Sequence, residues 1–298
     1  MMRILTHTIP AHWDGATVKA FAQGVLGLST RALAQQKYEG GILVNGLPCH
    51  ANATLEAGDR LEFLLLAEAV DYPETALPLT ILYEDQDFLI VDKPPSMPVH
   101  PSPGHDADSL LNALAHYYHS TGQSHRVRPL YRLDRNTSGL VAVAKHRAAA
   151  GALLTKTYFA LCEGRMEGIG TINVPIGLGE DSKIRRVCGQ GQRAVTHWRA
   201  LASDGSHTLL ALTLETGRTH QIRAHLAYLG HPLAGDDLYG GRTDRIGRQA
   251  LHCGCLVLDC PAVPFSGRFT AAFPPDLRQA FPFLQDDYLK EALLCPPV

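Results

Sequence analysis

Short apolar runs separated by turn residues recur through most of this chain, and they limit its fold more than any other feature. Few long helical patterns lie between them, which favours a mainly antiparallel sheet over alternating parallel strands and helices. We therefore expect residues 80–298 to form one α+β domain. The runs that we interpret as strands are Asp87–Val91, Leu140–Ala144, Thr157–Cys162, Val195–Leu201 and Thr208–Leu214.

The N-terminal part carries a different pattern, typical of a small α/β module. One apolar helical face ends at Gly27, and Ser29 can cap a second helix. Asn45-Gly46 follows a short apolar strand and is a strong hairpin-turn signal. We expect a domain over residues 12–67. Residues 68–79 are acidic and contain prolines, which predicts a linker that few contacts cross.

Composition places the chain among ordinary cytoplasmic globular proteins. Hydrophobic residues make up 45% of its 298 residues, but no apolar run approaches the roughly 20 residues that span a membrane. The N-terminus lacks the apolar core of a secretory signal. Seven cysteines without a Cys-x-x-Cys pair predict reduced thiols. Cys253 and Cys255 suit alternate positions of a strand better than a zinc site, so we expect no metal.

The charges are segregated, although the net charge is only −2. Residues 126–165 contain eight Lys and Arg residues against two acidic ones, and residues 183–223 contain seven against two. If the two segments share one face, that face attracts phosphate groups while the whole molecule stays near neutrality. The alternative is solvated charge scattered around the fold.

One motif combines these charges with chemistry. The segment Tyr131–Gly139 places Asp134 between Arg132 and Arg135, directly before an apolar strand. Nearby positive charge keeps a carboxylate ionised, and an ionised carboxylate can attack an electrophilic carbon beside a bound polyanion. A surface salt bridge is the plain alternative for so short a motif.

Two further segments join this aspartate. Lys156–Ala160 places Tyr158 in a strand, where an aromatic side chain often serves packing alone. Thr216–His225 opens a helix after a glycine turn, and Arg223 lies near the buried face of that helix. Arginine is rarely buried unless paired, so a carboxylate partner is expected, and Asp134 is the best candidate.

Together these motifs resemble the pseudouridine synthases of the RluA type, which modify uridines in large-subunit ribosomal RNA and some transfer RNAs. The resemblance covers nearly the whole chain and rests on several ordered motifs, which makes it far more specific than a lone motif. The matching segments are Val91–Pro95, Val99–Pro101, Arg132–Asp134, Thr137–Gly139, Lys156 with Tyr158 and Ala160, Thr216–Arg223, Gln249–His252 and Phe273–Leu277.

The resemblance implies a pseudouridine synthase fold and a role for each matching residue. Asp134 would be the nucleophile, and Arg223 would pair with it. Tyr158 would stack on the flipped base, Arg132 would take the place of that base in the RNA, and Leu251 would form an apolar wall of the pocket. The reaction involves no redox change and needs no energy source, so no cofactor is implied.

RNA is the expected partner, namely ribosomal RNA that is free or in an assembling subunit, and we expect a monomer. The N-terminal module resembles the alpha-L RNA-binding domain of the ribosomal protein S-four type through Leu28–Arg31, Gly40–Gly46 and Leu55–Leu61. In that family the second helix contacts RNA, which selects Arg31 and Lys37 here. Arg135 and Arg218, from the two basic segments, are further candidates for RNA contacts.

The chain departs from the family pattern at Tyr131, where a histidine is common, and at Ser96, where a glycine is common. Neither change removes a group that the chemistry needs. Two alternatives stay open: a transfer-RNA uridine as the substrate, and a catalytically silent RNA-binding factor of ribosome assembly. A deaminase would need a zinc signature, and a glycosidase would need a second placed carboxylate.

Overall fold

The computed structural model describes residues 3–294 with the exception of 39, 67, 71, 181 and 183. Ala67, Asp71 and Lys183, which belong to the predicted domain boundary, linker and basic segment, lie outside the described residues. No helix in the described part of the chain is long and apolar enough to cross a membrane. The N-terminal elements are β1 (Arg3–Thr8), α1 (Val18–Gly24), α2 (Thr30–Tyr38), β2 (Ile42–Val44), β3 (Leu47–Pro48) and β4 (Arg60–Leu65).

These strands, among the residues described, form a four-stranded antiparallel sheet in the order β1-β4-β2-β3. The predicted cap of α2 is present, because the Ser29 hydroxyl accepts the Ala32 N–H at 3.1 Å. Asn45 and Gly46 form the predicted turn with φ of 52° and 81°. Since β1 pairs with β4 from Arg3 onward, the domain boundary predicted at residue 12 is wrong. The sequence pattern of residues 3–8 did not predict a strand.

The prediction that few contacts cross residues 68–79 is also wrong. The Glu68 carboxylate is ion-paired with Arg128, and the Asn112 amide donates to the Pro73 carbonyl at 2.8 Å. Val70, Tyr72, Leu77 and Leu79 pack against the main core. The acidic and proline-bearing segment is therefore a strap that packs against residues 80–298.

The remaining residues form the large domain. Its strands are β5 (Thr80–Glu84), β6 (Phe88–Lys93), β7 (Arg128–Pro129), β8 (Ser138–Ala144), β9 (Leu153–Glu163), β10 (Ile169–Asn173), β11 (Ile176–Leu178), β12 (Arg186–Cys188), β13 (Val195–Ser203), β14 (His207–Leu214), β15 (Leu251–Cys260) and β16 (Phe265–Thr270). Its helices are α3 (Leu110–Ser120), α4 (Gln221–Tyr228), α5 (Pro275–Ala280) and α6 (Asp287–Leu294).

The expected mainly antiparallel α+β fold is confirmed. Among the described residues the main sheet runs β10-β13-β14-β9-β15-β8-β6-β5, with β16 beside β15 and β7 beside β8. All of these pairs are antiparallel except β15 with β8. One cluster of buried apolar side chains continues from the N-terminal module, with Leu5 and Phe21, into the main sheet, with Phe88 and Val141. The small domain is thus packed onto the large one.

Two glycines allow the strands near Asp134 to approach closely. Gly139, the second residue of β8, has a φ of 112°, and a Cβ there would lie 2.3 Å from the Cys253 carbonyl oxygen of β15. Gly254 forms a bulge opposite β9, where a Cβ would meet the Phe159 ring at 2.7 Å. The beginnings of β8 and β15 and the middle of β9 therefore meet at one place in the sheet.

Candidate active site

Asp134 lies in the loop that leads into the buried strand β8, and its side chain keeps 20% of its surface exposed. Two buried cations hold the residues that follow it. The Lys93 ammonium donates to the Arg135 carbonyl at 3.1 Å, and the Arg248 guanidinium donates to the Asn136 carbonyl at 3.0 Å. These bonds hold the backbone after Asp134 in place, while the Asp134 carboxylate stays partly exposed to solvent.

Lys93 is a structural cation of this loop. It is fully buried, and its ammonium also donates to the carbonyls of Pro94 and Met97 at 2.8 Å each. Burial lowers the Lys93 pKa to about 7, and the positive charge of Arg248 lowers it as well. The negative charge of Asp134 acts in the opposite direction. Three carbonyl acceptors use all three N–H groups of the charged form, so we assign Lys93 as an ammonium.

Arg248 directly precedes the motif Gln249–His252 and pairs with Asp276 of the motif Phe273–Leu277. It forms a two-bond ion pair with Asp276, at 2.6 and 3.0 Å, next to the start of α5. The neighbouring His252 accepts the Ser138 hydroxyl at Nδ1, at 3.0 Å, and donates from Nε2 to the Ala271 carbonyl, also at 3.0 Å. Burial lowers the pKa of His252 to about 4, so the ring stays neutral in this assignment.

Arg223 has a different principal partner from the one predicted. Its Nε and Nη2 donate to both oxygens of Asp236 at 2.7 and 2.8 Å, whereas its Nη1 lies 3.6 Å from the nearer Asp134 oxygen. Asp236 is fully buried and follows Gly235, a tight turn that places it against α4. Burial alone lowers the pKa of Arg223, but the bond and charge of Asp236, helped by Asp134, raise it above the ordinary value.

Tyr158 projects from β9 into the same region and is only 6% exposed. Burial raises the pKa of its hydroxyl well above the ordinary value, and the nearby Cys253 and Asp134 add to this shift. The side chain is therefore a neutral phenol whose ring borders the cavity beside Asp134.

His220 was not selected from the sequence, although it lies inside a quoted motif. It precedes α4 in the left-handed region, with φ 57° and ψ 21°, which is uncommon for a residue other than glycine and marks strained functional sites. Its Nδ1 lies 3.1 Å from the Tyr239 hydroxyl. Burial lowers the pKa of His220, against the opposing charge of Asp134.

Two cavities flank Asp134 in the described structure. One has a volume of about 500 Å³ and is bordered by Tyr158, Leu251 and residues 213–223, which join β14 to α4. The other has a volume of about 510 Å³ and is bordered by Pro98–Ser102. Both cavities share Arg132, Leu133, Asp134, His220 and Arg223. Volumes of this size enclose small ligands, and here one carboxylate faces both.

Comparison with known proteins gives this geometry a family. The model of the RNA pseudouridylate synthase family matches residues 87–228. An uncharacterized RNA pseudouridine synthase of Bacillus subtilis, YjbO, is 43% identical over 278 residues, which cover 88% of this chain and 97% of that protein. The chain belongs to the RNA pseudouridylate synthase family. It is an isomerase that converts uridine in RNA to pseudouridine.

Other members of the family support the same assignment. The ribosomal large subunit pseudouridine synthase D of Escherichia coli is 34% identical over 272 residues, which cover 83% of each chain. The solved structure of human RNA pseudouridylate synthase domain containing 1 has a TM-score of 0.60 and 29% identity, and covers 76% of this chain and 99% of the human one. The resemblance of the motifs to a pseudouridine synthase is therefore confirmed.

The synthase brings most of the predicted site residues together. Arg132 borders both cavities, Tyr158, Arg218 and Leu251 border the first, and Arg135 borders the second. Arg31 and Lys37 are exposed on α2 and border neither cavity. Their contribution to RNA binding stays a prediction.

Fewer side chains of the predicted basic face are unpaired than its composition indicated. Carboxylates, most of which lie outside the two basic segments, neutralise several members of these segments. These ion pairs are Arg128 and Arg147 with Glu68, Lys145 with Glu84, Arg165 with Glu167, Arg193 with Glu215 and Arg199 with Glu291. Counting charges along the sequence did not show these pairs because most of them join distant segments.

Proposed function

We propose that Asp134 is the nucleophile of this synthase and that its substrate is a uridine of large-subunit ribosomal RNA. The observation that carries the first part is the position of Asp134. Its carboxylate is partly exposed between two cavities, its loop is fixed from behind, and the Arg223 guanidinium lies 3.6 Å from one of its oxygens. A single oriented carboxylate is what a covalent isomerisation needs.

The proposed chemistry balances without a further reactant. Attack by the Asp134 carboxylate on the ribose carbon breaks the bond between that carbon and N1 of uracil, and the bonding electrons leave with uracil. The detached uracil turns, and its C5 forms a carbon–carbon bond to the ribose carbon as the carboxylate leaves. The C5 proton is released to solvent, and N1 acquires a proton. Water must be excluded from the intermediate, and the bound RNA would cover the open side of the cavities.

The neighbouring residues suit the handling of a flipped base. Leaving the stack costs a few kcal/mol, which an aromatic surface and an inserted side chain can offset. Tyr158 offers its ring as a stacking surface, Leu251 offers an apolar wall, and Arg132 takes the place of the base in the RNA. Arg135 and Arg218 lie at the cavity borders, where they would contact phosphates.

The choice of ribosomal RNA rests on relatives and on the N-terminal domain. The relatives from Escherichia coli, Salmonella typhimurium and Vibrio cholerae are named ribosomal large subunit pseudouridine synthase D. The exposed Arg31 and Lys37 on α2 are the charges with which an alpha-L domain would hold a structured RNA. A transfer-RNA uridine is the second candidate.

Mapping of pseudouridine in RNA from cells with and without this protein tests the target. We expect one or a few uridines of large-subunit ribosomal RNA to lose the modification and to regain it when the wild-type protein is returned. Losses confined to transfer RNA would overturn the choice of ribosomal RNA. An unchanged map would favour the silent assembly factor.

A further inference from the structure

The first cavity contains a cation that the proposed mechanism does not use. Lys156 borders this cavity on the same face of β9 as Tyr158, two residues along the strand. Its Nζ lies 4.2 Å from the centre of the Tyr131 ring, an arrangement in which the ring face attracts the charge. Among the described residues, no carboxylate lies within salt-bridge distance of Lys156.

Tyr131 is held so that its ring stays beneath this ammonium. Its hydroxyl donates to the Leu140 carbonyl of β8 at 2.7 Å. This bond holds the ring to β8. A histidine, common at this position in the family, could not reach the same carbonyl from the same ring position because it is shorter.

The nearest neighbours of Lys156 supply no negative charge, and the carboxylates of Asp134 and Glu215, which border the same cavity, lie beyond salt-bridge distance of it. Burial raises the pKa of Tyr131 and of Tyr158 well above the ordinary value and raises that of Cys253 to about 12, so all three keep their protons. Burial also lowers the pKa of Lys156, which the nearby Cys253 only partly offsets. A partly buried cation without a counter-charge costs stability, and such groups are concentrated where a reaction develops charge.

The reaction develops negative charge in this cavity. When the bond to N1 breaks, the electron pair stays with uracil and spreads over N1 and the two carbonyl oxygens. We propose that the Lys156 ammonium, positioned by the Tyr131 ring, contacts the detached uracil and stabilises its negative charge. This inference rests on the proposed isomerisation at Asp134 and does not depend on which RNA carries the uridine.

Single-turnover rates at saturating RNA test the inference, with a transcript that contains the mapped uridine. Lys156→Met keeps the length of the side chain and removes its charge. We expect the rate to fall about 100-fold or more, the usual loss when one stabilising donor is removed from a site of developing charge, while the Kd for the transcript changes little. Lys156→Arg should recover most of the rate. Lys290→Met, at an exposed lysine of α6, is the matched control.

Tyr131 provides a second, independent comparison. Tyr131→Phe keeps the ring face, so we expect most of the rate to remain, whereas Tyr131→Leu removes the face and should lose much of it. The pH profile adds a signature that packing alone would not produce. The wild-type rate should fall on the alkaline side as Lys156 loses its proton, and Lys156→Arg should move this fall to higher pH.

Each other outcome overturns the inference. A Lys156→Met rate within about threefold of wild type, or a weaker Kd with an unchanged rate, would assign Lys156 to packing or to a phosphate contact. If Lys156→Met does not fold, an alkaline limb that Lys156→Arg leaves unmoved has the same meaning. Asp134→Asn separates this failure from that of the proposed function, since an active Asp134→Asn contradicts the nucleophile itself.

Discussion

Arg223 and Asp236 form a fully engaged ion pair, with two hydrogen bonds of 2.7 and 2.8 Å in the buried wall behind Asp134. The remaining guanidinium nitrogen, Nη1, reaches the Asp134 carboxylate at 3.6 Å. The charge that orients the proposed nucleophile is therefore itself fixed by a second carboxylate. Asp236, which the sequence analysis did not select, acts on Asp134 through Arg223.

Breaking this pair should unfold the protein more easily. Asp236→Asn leaves the Arg223 charge buried without a negative partner and with only one acceptor oxygen in place of two. We therefore expect a loss of about 3 kcal/mol in the free energy of unfolding. Arg223→Met should cost a similar amount and should also lower the isomerisation rate. Chemical denaturation and single-turnover assays measure both effects. The exposed pair of Arg165 and Glu167 gives the control, because Arg165→Met should change stability by less than about 1 kcal/mol. Equal effects at the two sites would contradict the buried assignment.

His252 predicts a dependence of stability on pH. Its pKa is lowered to about 4 in the folded protein from an ordinary value of 6.5, so the unfolded chain binds the additional proton between these values. Stability should therefore fall as pH decreases from 6.5 to 4, by about 3 kcal/mol from this residue. Unfolding at several pH values measures the slope. His252→Gln should flatten it, whereas His50→Gln, at an exposed histidine, should leave it as it is.

Gly151 tests the contact between the two domains. A Cβ at this position would lie 2.5 Å from the Gly27 carbonyl oxygen in the N-terminal domain, so backbone must shift to admit it. We expect Gly151→Ala to destabilise the protein by about 1 to 3 kcal/mol, the usual cost of overpacking. Gly247 has nothing within 4 Å of its would-be Cβ and no positive φ, which makes Gly247→Ala the control. Equal melting temperatures for the two variants would show that the domains can separate without cost.

The exposed charges of α2 predict a specific salt dependence. Replacing Arg31 and Lys37 together by glutamine should weaken binding to a long structured RNA and make the plot of affinity against salt shallower, by up to about one unit per lost phosphate contact. The rate on a short saturating fragment should not change. Binding titrations over a range of salt measure this effect. If the wild-type slope persisted, α2 would not be an RNA-binding surface.

The sequence predicted those parts of the molecule that local patterns control. The strand-like runs predicted the antiparallel sheet, and the charges around Asp134 indicated the loop that lies between the two cavities. The partners of Arg223 and Arg248 were missed because folding, not sequence distance, brings Asp236 and Asp276 to them. A buried arginine needs a carboxylate, but no local pattern in the sequence distinguishes Asp236 from Asp134 as that partner. The strap at residues 68–79 was misread because its composition conceals its packing.

The most direct test of the account is the activity of Asp134→Asn, which keeps the shape of the side chain and removes its charge. Tritium release from C5-labelled uridine, together with mass-spectrometric mapping, should find no pseudouridine from this variant, while its Kd for RNA stays close to that of wild type. Asp244→Asn, at an exposed carboxylate, should remain fully active. Turnover of Asp134→Asn near the wild-type rate would contradict the assignment of Asp134 as the nucleophile.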